Sequence, residues 1–338
     1  MICRHDADGQ FVRLGAMSAA SPDAIDAKVH LLVVRLSSLR EGEAASLELI
    51  ACGPTAIGPL RELLLFGNPS NVFEPRRRVV EVLACLGARE TLIEYLNAGK
   101  DIPDPDVRLG EEAVEAAAAR ELAAFHTEED FHTLLELARR RPSAGILEAL
   151  DEFGRIEAIP YLVMALEDDM CRPFAERALQ KLGPPGRSQL LQAAITPSPS
   201  HEYESPSSLR RRRGALSVLS EIGIESEEWP VLRPLLDEHD PVILVTASKI
   251  GSRFESGESL TKILRRLLAE LPKLDWLMLR EAEALLVNLA GTARPCLDEE
   301  IARRTPTSEC IVWDPILALL LRIRRNLEEP RDVGPKAQ

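Results

Sequence analysis

The sequence predicts an all-α fold, an α-α superhelix of about seven to eight helical hairpins with atypical units at both ends. Hydrophobic residues make up 45% of the chain and aromatic residues only 4%, which suits close helix packing better than strands. Apolar residues recur at helical spacing. Stretches with this spacing end repeatedly in glycine, as in "DPVILVTASKIG" (240–251) and "RPFAERALQKLG" (172–183).

The terminal glycines reveal the repeat. From Gly154 onward their steps are 29, 40, 28 and 40 residues, for glycines at 87, 154, 183, 223, 251 and 291. Periods of this size are typical of stacked helical repeats. Before Gly87 the residues Val79, Val80 and Leu83 share one helical face. We expect these glycines to end helices with positive φ, which glycine adopts without strain.

A second type of helix carries an early proline and precedes the first type. It reads "TAIGPLRELL" (55–64), "EAIPYLVMAL" (157–166) and "EEWPVLRPLL" (227–236). Proline is tolerated in the first turn, where its missing N–H has no helical partner. We therefore expect hairpins at 22–52, 54–87, 89–125, 129–154, 156–183, 186–223, 227–251 and 257–291, followed by a cap at 295–327.

Acids and arginines recur before the second helix of the hairpin. Asp104 and Asp168 each stand four residues before an arginine, and three arginines lie eleven residues before a terminal glycine: Arg76, Arg172 and Arg212. An acid at a helix start can cap orphan amides. The arginine can pair with an acid of the adjacent hairpin, giving a ladder of charges. Asp240 stands where that arginine would stand, so we expect the ladder to break there.

These residues resemble the HEAT-repeat family, in the short bacterial form called the phycobilisome-lyase HEAT-like repeat. The resemblance covers about residues 54–291 and implies a solenoid whose concave face binds a partner. One copy is carried by Ala158, Ile159, Pro160, Leu162, Asp168, Arg172, Ala175, Ala178, Leu179, Leu182 and Gly183. A second copy, with gaps, is carried by Ala56, Ile57, Pro59, Leu60, Arg76, Val79, Leu83, Leu86 and Gly87.

The expected organisation is a flexible lead at 1–20, a HEAT-like solenoid at 21–327 and a disordered tail at 328–338. One stretch, "TPSPSHEYESPSS" (196–208), is rich in proline and serine and lengthens its repeat. Loops this long are uncommon inside a compact array. Two alternatives stay open for it, a plain or disordered linkage and a binding loop.

Charge and hydropathy restrict the partners. The net charge is −13 and the pI is about 5.1, so general binding to nucleic acid is not expected. The first twenty residues carry no apolar core of a signal peptide, and "VHLLVVRL" (29–36) is far shorter than the ~20 residues that span a bilayer. We expect a cytoplasmic protein that does not bind membranes.

Arginine clusters are the candidate partner-binding residues, although solvated helix ends explain them equally simply. They are Arg76, Arg77, Arg78, Arg108, Arg172, Arg210, Arg211, Arg212 and Arg213. If they gather on one edge they would form an anion-binding stripe. Substituting any one of Arg210–Arg213 by alanine is expected to alter partner capture without loss of folding.

No metal, cofactor or catalytic residue is predicted. In "FHTEEDFH" the two histidines, His126 and His132, are six residues apart and face different sides of a helix. The acids that follow Thr127 are better explained as first-turn residues behind an N-cap. Trp276 beside Asp275 is expected to be a buried tryptophan with an exposed acidic neighbour. The sequence has no P-loop, H-E-x-x-H or G-x-S-x-G motif.

The function predicted is therefore a non-enzymatic scaffold that binds another protein along its concave face or through the 196–208 loop. One alternative follows from the family resemblance, an enzyme similar to the bilin lyases that gave the repeat its name. A third alternative is binding to DNA or RNA through the arginine clusters.

Overall fold

The computed structural model describes residues 22–38, 40–200, 203–305 and 314–328. It confirms the all-α class, since one two-residue-per-strand ribbon is the only sheet within these residues. The expected lead at 1–20 lies outside the described residues, as does the tail apart from residue 328. The helices are α1 Pro22–Arg35, α2 Gly42–Cys52, α3 Ile57–Phe66, α4 Glu74–Cys85, α5 Arg89–Ala98, α6 Pro105–Ala123, α7 Glu128–Arg140, α8 Ala144–Phe153, α9 Ile159–Ala165, α10 Arg172–Leu182, α11 Arg187–Ile195, α12 Pro206–Ile222, α13 Trp229–Leu232, α14 Pro241–Gly251, α15 Gly257–Glu270, α16 Trp276–Asn288, α17 Ala290–Arg304 and α18 Pro315–Glu328.

The chain divides into two compact units. Unit 1 comprises Met1–Ala165 and Pro173–Ala178, and unit 2 comprises Leu166–Arg172 and Leu179–Gln338. The helices α1 to α9 therefore belong to unit 1, those from α11 onward to unit 2, and the residues of α10 are assigned to both.

Unit 1 is a stack of hairpins. Consecutive helices such as α1 and α2 pack together, and each helix also packs against its counterpart in the next hairpin. One row of counterparts is α1, α3, α5, α7 and α9, and the other is α2, α4, α6 and α8. A hairpin cannot bury its apolar stripe alone, so neighbours complete the core. Leu60, Leu83, Leu122 and Leu147 are fully buried in this way.

Unit 2 repeats the arrangement. The helices α12, α14, α16 and α18 form one row, while α11 packs on α13 and α15 packs on α17. A continuous cluster of buried residues runs from Val245 to Ile323 and includes Leu264, Leu286 and Leu297. The predicted prolines lie in the first turns, with Pro160 and Pro230 at the second position of α9 and α13.

The predicted helix ends are largely confirmed. Gly87, Gly154, Gly183 and Gly223 have φ of +71°, +60°, +69° and +77°, and Asp104 accepts hydrogen bonds from the backbone of Asp106 and Val107. For the other two glycines the predicted positive φ was wrong, and only Gly251 ends a helix. Gly251 is the last residue of α14 and Gly291 lies inside α17, and neither has positive φ.

Gly251 has a packing role in place of a conformational one. A Cβ at this position would lie 2.5 Å from Cη2 and 2.7 Å from Cζ2 of Trp229. That ring is 5% exposed, and its indole N–H donates to Glu255 at 2.7 Å. The glycine therefore leaves room for a ring whose position is fixed by the hydrogen bond of its indole N–H.

We expect Gly251→Ala to reduce the free energy of unfolding by about 1–3 kcal/mol, because the new methyl group must displace Trp229. Gly291→Ala is the matched control, since nothing lies within 4 Å of a Cβ at that helical position. Alanine favours a helix over glycine, so the control is expected to be unchanged or more stable by up to about 1 kcal/mol. Urea unfolding measures both variants. Equal stabilities would show that Trp229 does not need the space.

The segment Gly42–Phe66 is long and apolar enough to span a membrane by length and composition, and 22% of its most apolar stretch is buried. In the structure Gly53, with φ of +71°, separates it into α2 and α3, which belong to different hairpins. Leu49, Leu60 and Leu64 of this segment are fully buried.

Candidate functional site

The described part of the 196–208 loop is an ordered ribbon between α11 and α12. Pro199–Ser200 pairs antiparallel with Tyr203–Glu204, and the Ser205 amide donates to the Ser198 carbonyl at 3.1 Å. Ser208 ties the ribbon to α12, because its hydroxyl donates to Glu204 at 2.7 Å and accepts from the Ser198 amide at 2.8 Å. These bonds fix both sides of the ribbon to the first turn of α12.

Arg212 is the main anchor of this region and is only 2% exposed. Its Nε donates to the Ala194 carbonyl at 2.9 Å, its Nη1 donates to Glu204 at 2.7 Å, and its Nη2 donates to Glu238. Burial opposes the charge, but the two carboxylates outweigh it and raise the pKa of the guanidinium. One side chain thus joins the end of α11, the ribbon and the segment before α14.

Arg210 and Arg211 of α12 bind the turn that precedes α10, and Arg211 also binds the start of the ribbon. Arg210 Nε donates to the Glu167 carbonyl at 2.7 Å. Arg211 binds the Glu167 carboxylate, and its Nη2 also donates to Ser198 Oγ at 3.1 Å. The side chains of Arg210 and Arg211 are 33% and 16% exposed. They are therefore held in place and still reach the surface.

Two large apolar side chains protrude from the elements that these arginines hold. Tyr203 on the ribbon is 78% exposed and Met170 in the turn before α10 is 72% exposed. Tyrosine, methionine and arginine are enriched in protein interfaces. The combination of Met170, Tyr203, Arg210 and Arg211 is called the ribbon surface below.

The other predicted arginines take different positions. Arg213 pairs with Asp240, so the acid that replaces the arginine at this point of the ladder binds back to α12. Arg172, at 32% exposure, lies 3.1 Å from Asp169. Both pairs belong to unit 2. Because these acids neutralise the arginines, the cluster attracts phosphate less than its sequence implies.

In unit 1, two of the three arginines of "PRRRV" bind backbone carbonyls of other elements. Arg76 is 4% exposed and binds the Leu64 carbonyl and Glu111. Arg78 donates to the carbonyls of Leu36 at 2.7 Å and Ser38 at 3.1 Å.

The remaining two unit 1 candidates lie closer to solvent. Arg77 pairs with Glu74 and Glu81 of its own helix. Arg108 is 56% exposed and lies 3.9 Å from Glu112. A partner can reach Arg77 and Arg108 more readily than it can reach Arg76.

Two exposed aromatic residues, Trp276 and Tyr203, were not predicted to be exposed. Trp276 was expected in the core but is 69% exposed, while Asp275 caps α16 by accepting from the Met278 amide at 2.8 Å. Tyr203 carried no signal of its own, because its exposure depends on the ribbon. Only the position of Trp276 directly after an N-cap, in the first turn, hinted that it faces water.

The acids that follow His126 belong to a capping box at the start of α7, as the N-cap prediction for Thr127 implies. The Thr127 hydroxyl accepts from the Asp130 amide at 3.2 Å, and the Asp130 carboxylate accepts from the Thr127 amide at 3.3 Å. Within the residues that the structure describes, no group of three or more His, Cys, Asp or Glu side chains could hold a metal ion.

No family model matches the chain, and no curated protein matches it. One similar solved structure is the complex of CpcE and CpcF of phycocyanin lyase from Nostoc sp. PCC7120. It is 18% identical, the match covers 77% of this chain and 98% of that chain, and the TM-score is 0.31.

Proposed function

We propose that the chain is a non-enzymatic scaffold, built from HEAT-like hairpins, that captures a partner protein through the ribbon surface. The observation that carries the proposal is Tyr203, a side chain that is 78% exposed on a ribbon whose next residue is bound by a buried arginine. A partner that covers this side chain removes its aromatic surface from water, which stabilises the complex.

Rigidity supports the proposal. Binding is normally opposed by the entropy that is lost when loops and side chains become ordered. Here contacts of Arg212, Ser198 and Ser208 already order the ribbon in the free chain. The entropy of its ordering is therefore lost during folding and not during binding. A tyrosine has only two side-chain torsions to fix, which keeps the remaining loss small.

The composition of the surface indicates the kind of contact. Met170 adapts its shape to an apolar partner residue. Arg210 and Arg211 each carry five N–H donors on a side chain that is 33% and 16% exposed, respectively. We therefore expect a partner that offers an apolar pocket or residue to Tyr203, with acceptors around it. The concave face and the more exposed arginines of unit 1, Arg77 and Arg108, remain predicted contributors to partner binding.

Tyr203→Ala is expected to weaken partner binding at least about 30-fold, which is the effect of losing a 2 kcal/mol hot spot. The tagged chain and its variant would be compared by quantitative mass spectrometry of proteins captured from the source cells. The affinity for the partner lost from the variant would then be measured with purified protein. Thermal stability is expected to stay within a few degrees because Tyr203 is exposed.

Phe66→Ala is the matched control, because Phe66 is also aromatic and 72% exposed but lies in unit 1. Capture by this variant should equal that of the unaltered chain. Identical captured proteins and affinities for all three chains would contradict the proposal. A shift in visible absorbance on mixing the chain with a bilin would instead favour the lyase-like alternative that the sequence suggests.

A further inference from the structure

Unit 2 contains an open cleft of about 520 Å³ on a different set of elements from the ribbon surface. One wall is α13 and the following 3-10 helix Arg233–Asp237, and the other wall is α15. Pro230 and Pro234 line the first wall and Ile263 lines the second. This volume falls in the range of binding sites for small ligands and peptide side chains.

Three cations line the same cleft: Arg233, Lys262 and Arg266. Each of them has an acidic neighbour within 3.2 Å. Arg233 is 60% exposed and lies 3.2 Å from Glu255, while Lys262 is 71% exposed and lies 2.9 Å from Glu258. The pair of Lys262 and Glu258 is exposed on both sides and contributes about 0–1 kcal/mol. An incoming carboxylate can therefore replace Glu258 at Lys262 with little loss.

Arg266 is the least satisfied of the three cations. Its Nη1 lies 3.2 Å from Glu270, but Glu270 is closer to Lys273, at 2.6 Å. The side chain of Arg266 is 37% exposed, so a carboxylate that enters the cleft can reach its guanidinium group.

The spacing of the cations on α15 matches an extended peptide. Lys262 and Arg266 are one helical turn apart, so their side chains start about 6 Å from each other. Acids at alternate positions of an extended strand are about 6.6 Å apart and face the same side. The residue between them faces the opposite side, where Pro230 and Pro234 provide an apolar wall. A single small anion would not use both walls.

We infer that this cleft binds an extended acidic peptide segment of a partner protein, with the pattern acid, apolar residue, acid. The inference rests on the proposed function, because it supplies a second contact for a protein partner. The two acids of the segment contact Lys262 and Arg266 on α15. The apolar residue contacts the proline wall.

The cleft also contains two acidic side chains, Glu255 and Asp237, and only one of them is expected to repel an acidic peptide. Glu255 already accepts from the Trp229 indole and pairs with Arg233, so its charge is largely compensated. Asp237 adds a negative charge to the proline wall. Removing that charge with Asp237→Asn should tighten binding of an acidic peptide about two- to five-fold if charge attraction drives the association.

The experiment is a calorimetric titration of the full chain with a synthetic peptide of sequence Gly-Ser-Glu-Leu-Glu-Ser-Gly. The unaltered chain is expected to bind it, and Lys262→Glu is expected to weaken binding at least ten-fold. Lys249→Glu is the matched control, since Lys249 is also a partly exposed unit 2 lysine but pairs with Glu221 and Glu281 outside the cleft. That control should bind like the unaltered chain.

Several outcomes would overturn the inference. They are absence of binding, equal binding of a peptide with lysine in place of both glutamates, and equal weakening by Lys249→Glu. Displacement of the peptide by inorganic phosphate at equal concentration would assign the cleft to small anions instead. Tyr203→Ala should leave this titration unchanged, so a failure of the ribbon surface and a failure of the cleft give different results.

Discussion

Arg212→Ala is expected to lower the free energy of unfolding by about 3 kcal/mol or more, the largest effect of any substitution in the run of four arginines. The change removes three hydrogen bonds from a charged donor that is 2% exposed. Charged hydrogen bonds contribute about 1.5–3 kcal/mol each, although the released acids regain hydration. The Ala194 carbonyl at the end of α11 is also left without the hydrogen bond that it accepts from Arg212.

Arg213→Ala is the control from the next position of the same helix. Its side chain is 34% exposed, and its partner Asp240 keeps hydrogen bonds from the amides of Val242 and Ile243. We expect a loss of about 1–2 kcal/mol. Urea unfolding of both variants measures the difference. If the two losses are equal, the buried contacts of Arg212 contribute no more than a surface pair.

This result would correct the expectation that all four arginines are equally dispensable for folding. The sequence does contain the signal that separates them. Arg212 precedes Ala215, Leu216 and Leu219 by three, four and seven residues, and all three are fully buried. At 100° per residue this places Arg212 on the core side of α12. Arg76 stands in the same relation to Val79, Val80 and Leu83.

The hairpins themselves could be predicted because they depend on local chemistry. The positive φ of Gly154 and the helix cap formed by Asp104 each depend only on residues within four positions in the sequence. The ribbon surface could not be predicted in the same way. Its ordering depends on Arg212 meeting Glu204 and Glu238, and these contacts join residues that the sequence pattern does not pair.

Gly251 and Trp276 show the same limit. The glycine was correctly placed at the end of a helix, but its reason is the ring of Trp229 from the preceding helix. Trp276 is exposed because it occupies the first turn of α16, where few neighbours reach it. Residue type alone favours burial for both tryptophans, and only the packing of neighbouring helices separates them.

The buried network around Arg76 in unit 1 provides the second large effect. Glu111, which is 4% exposed, binds Arg76 and accepts from the Tyr95 hydroxyl at 2.8 Å. Burial and the Glu111 charge raise the pKa of Tyr95, so its hydroxyl keeps its proton and donates. Burial, assisted by Arg76, lowers the pKa of Lys100, which lies 4.0 Å from Glu111. Glu111 is thus the acceptor on which the network depends.

Glu111→Ala is expected to lower the free energy of unfolding by about 3–5 kcal/mol, because it leaves the Arg76 charge buried without its partner. The double variant Arg76→Met, Glu111→Leu removes both charges and fills the space with apolar atoms. It is expected to recover at least about 2 kcal/mol relative to Glu111→Ala, although the Leu64 carbonyl and the Tyr95 hydroxyl lose partners.

Urea unfolding of Arg76→Met, Glu111→Leu and the double variant closes a cycle and gives the coupling energy between Arg76 and Glu111. A large favourable coupling means that the arginine is tolerated in the core only because the adjacent hairpin supplies the acid. Equal losses for Glu111→Ala and the double variant would show that water reaches Arg76 once Glu111 is gone. In that case the hairpins of unit 1 are held by their apolar faces alone, and the arginines that precede each terminal glycine add no specificity to the stacking.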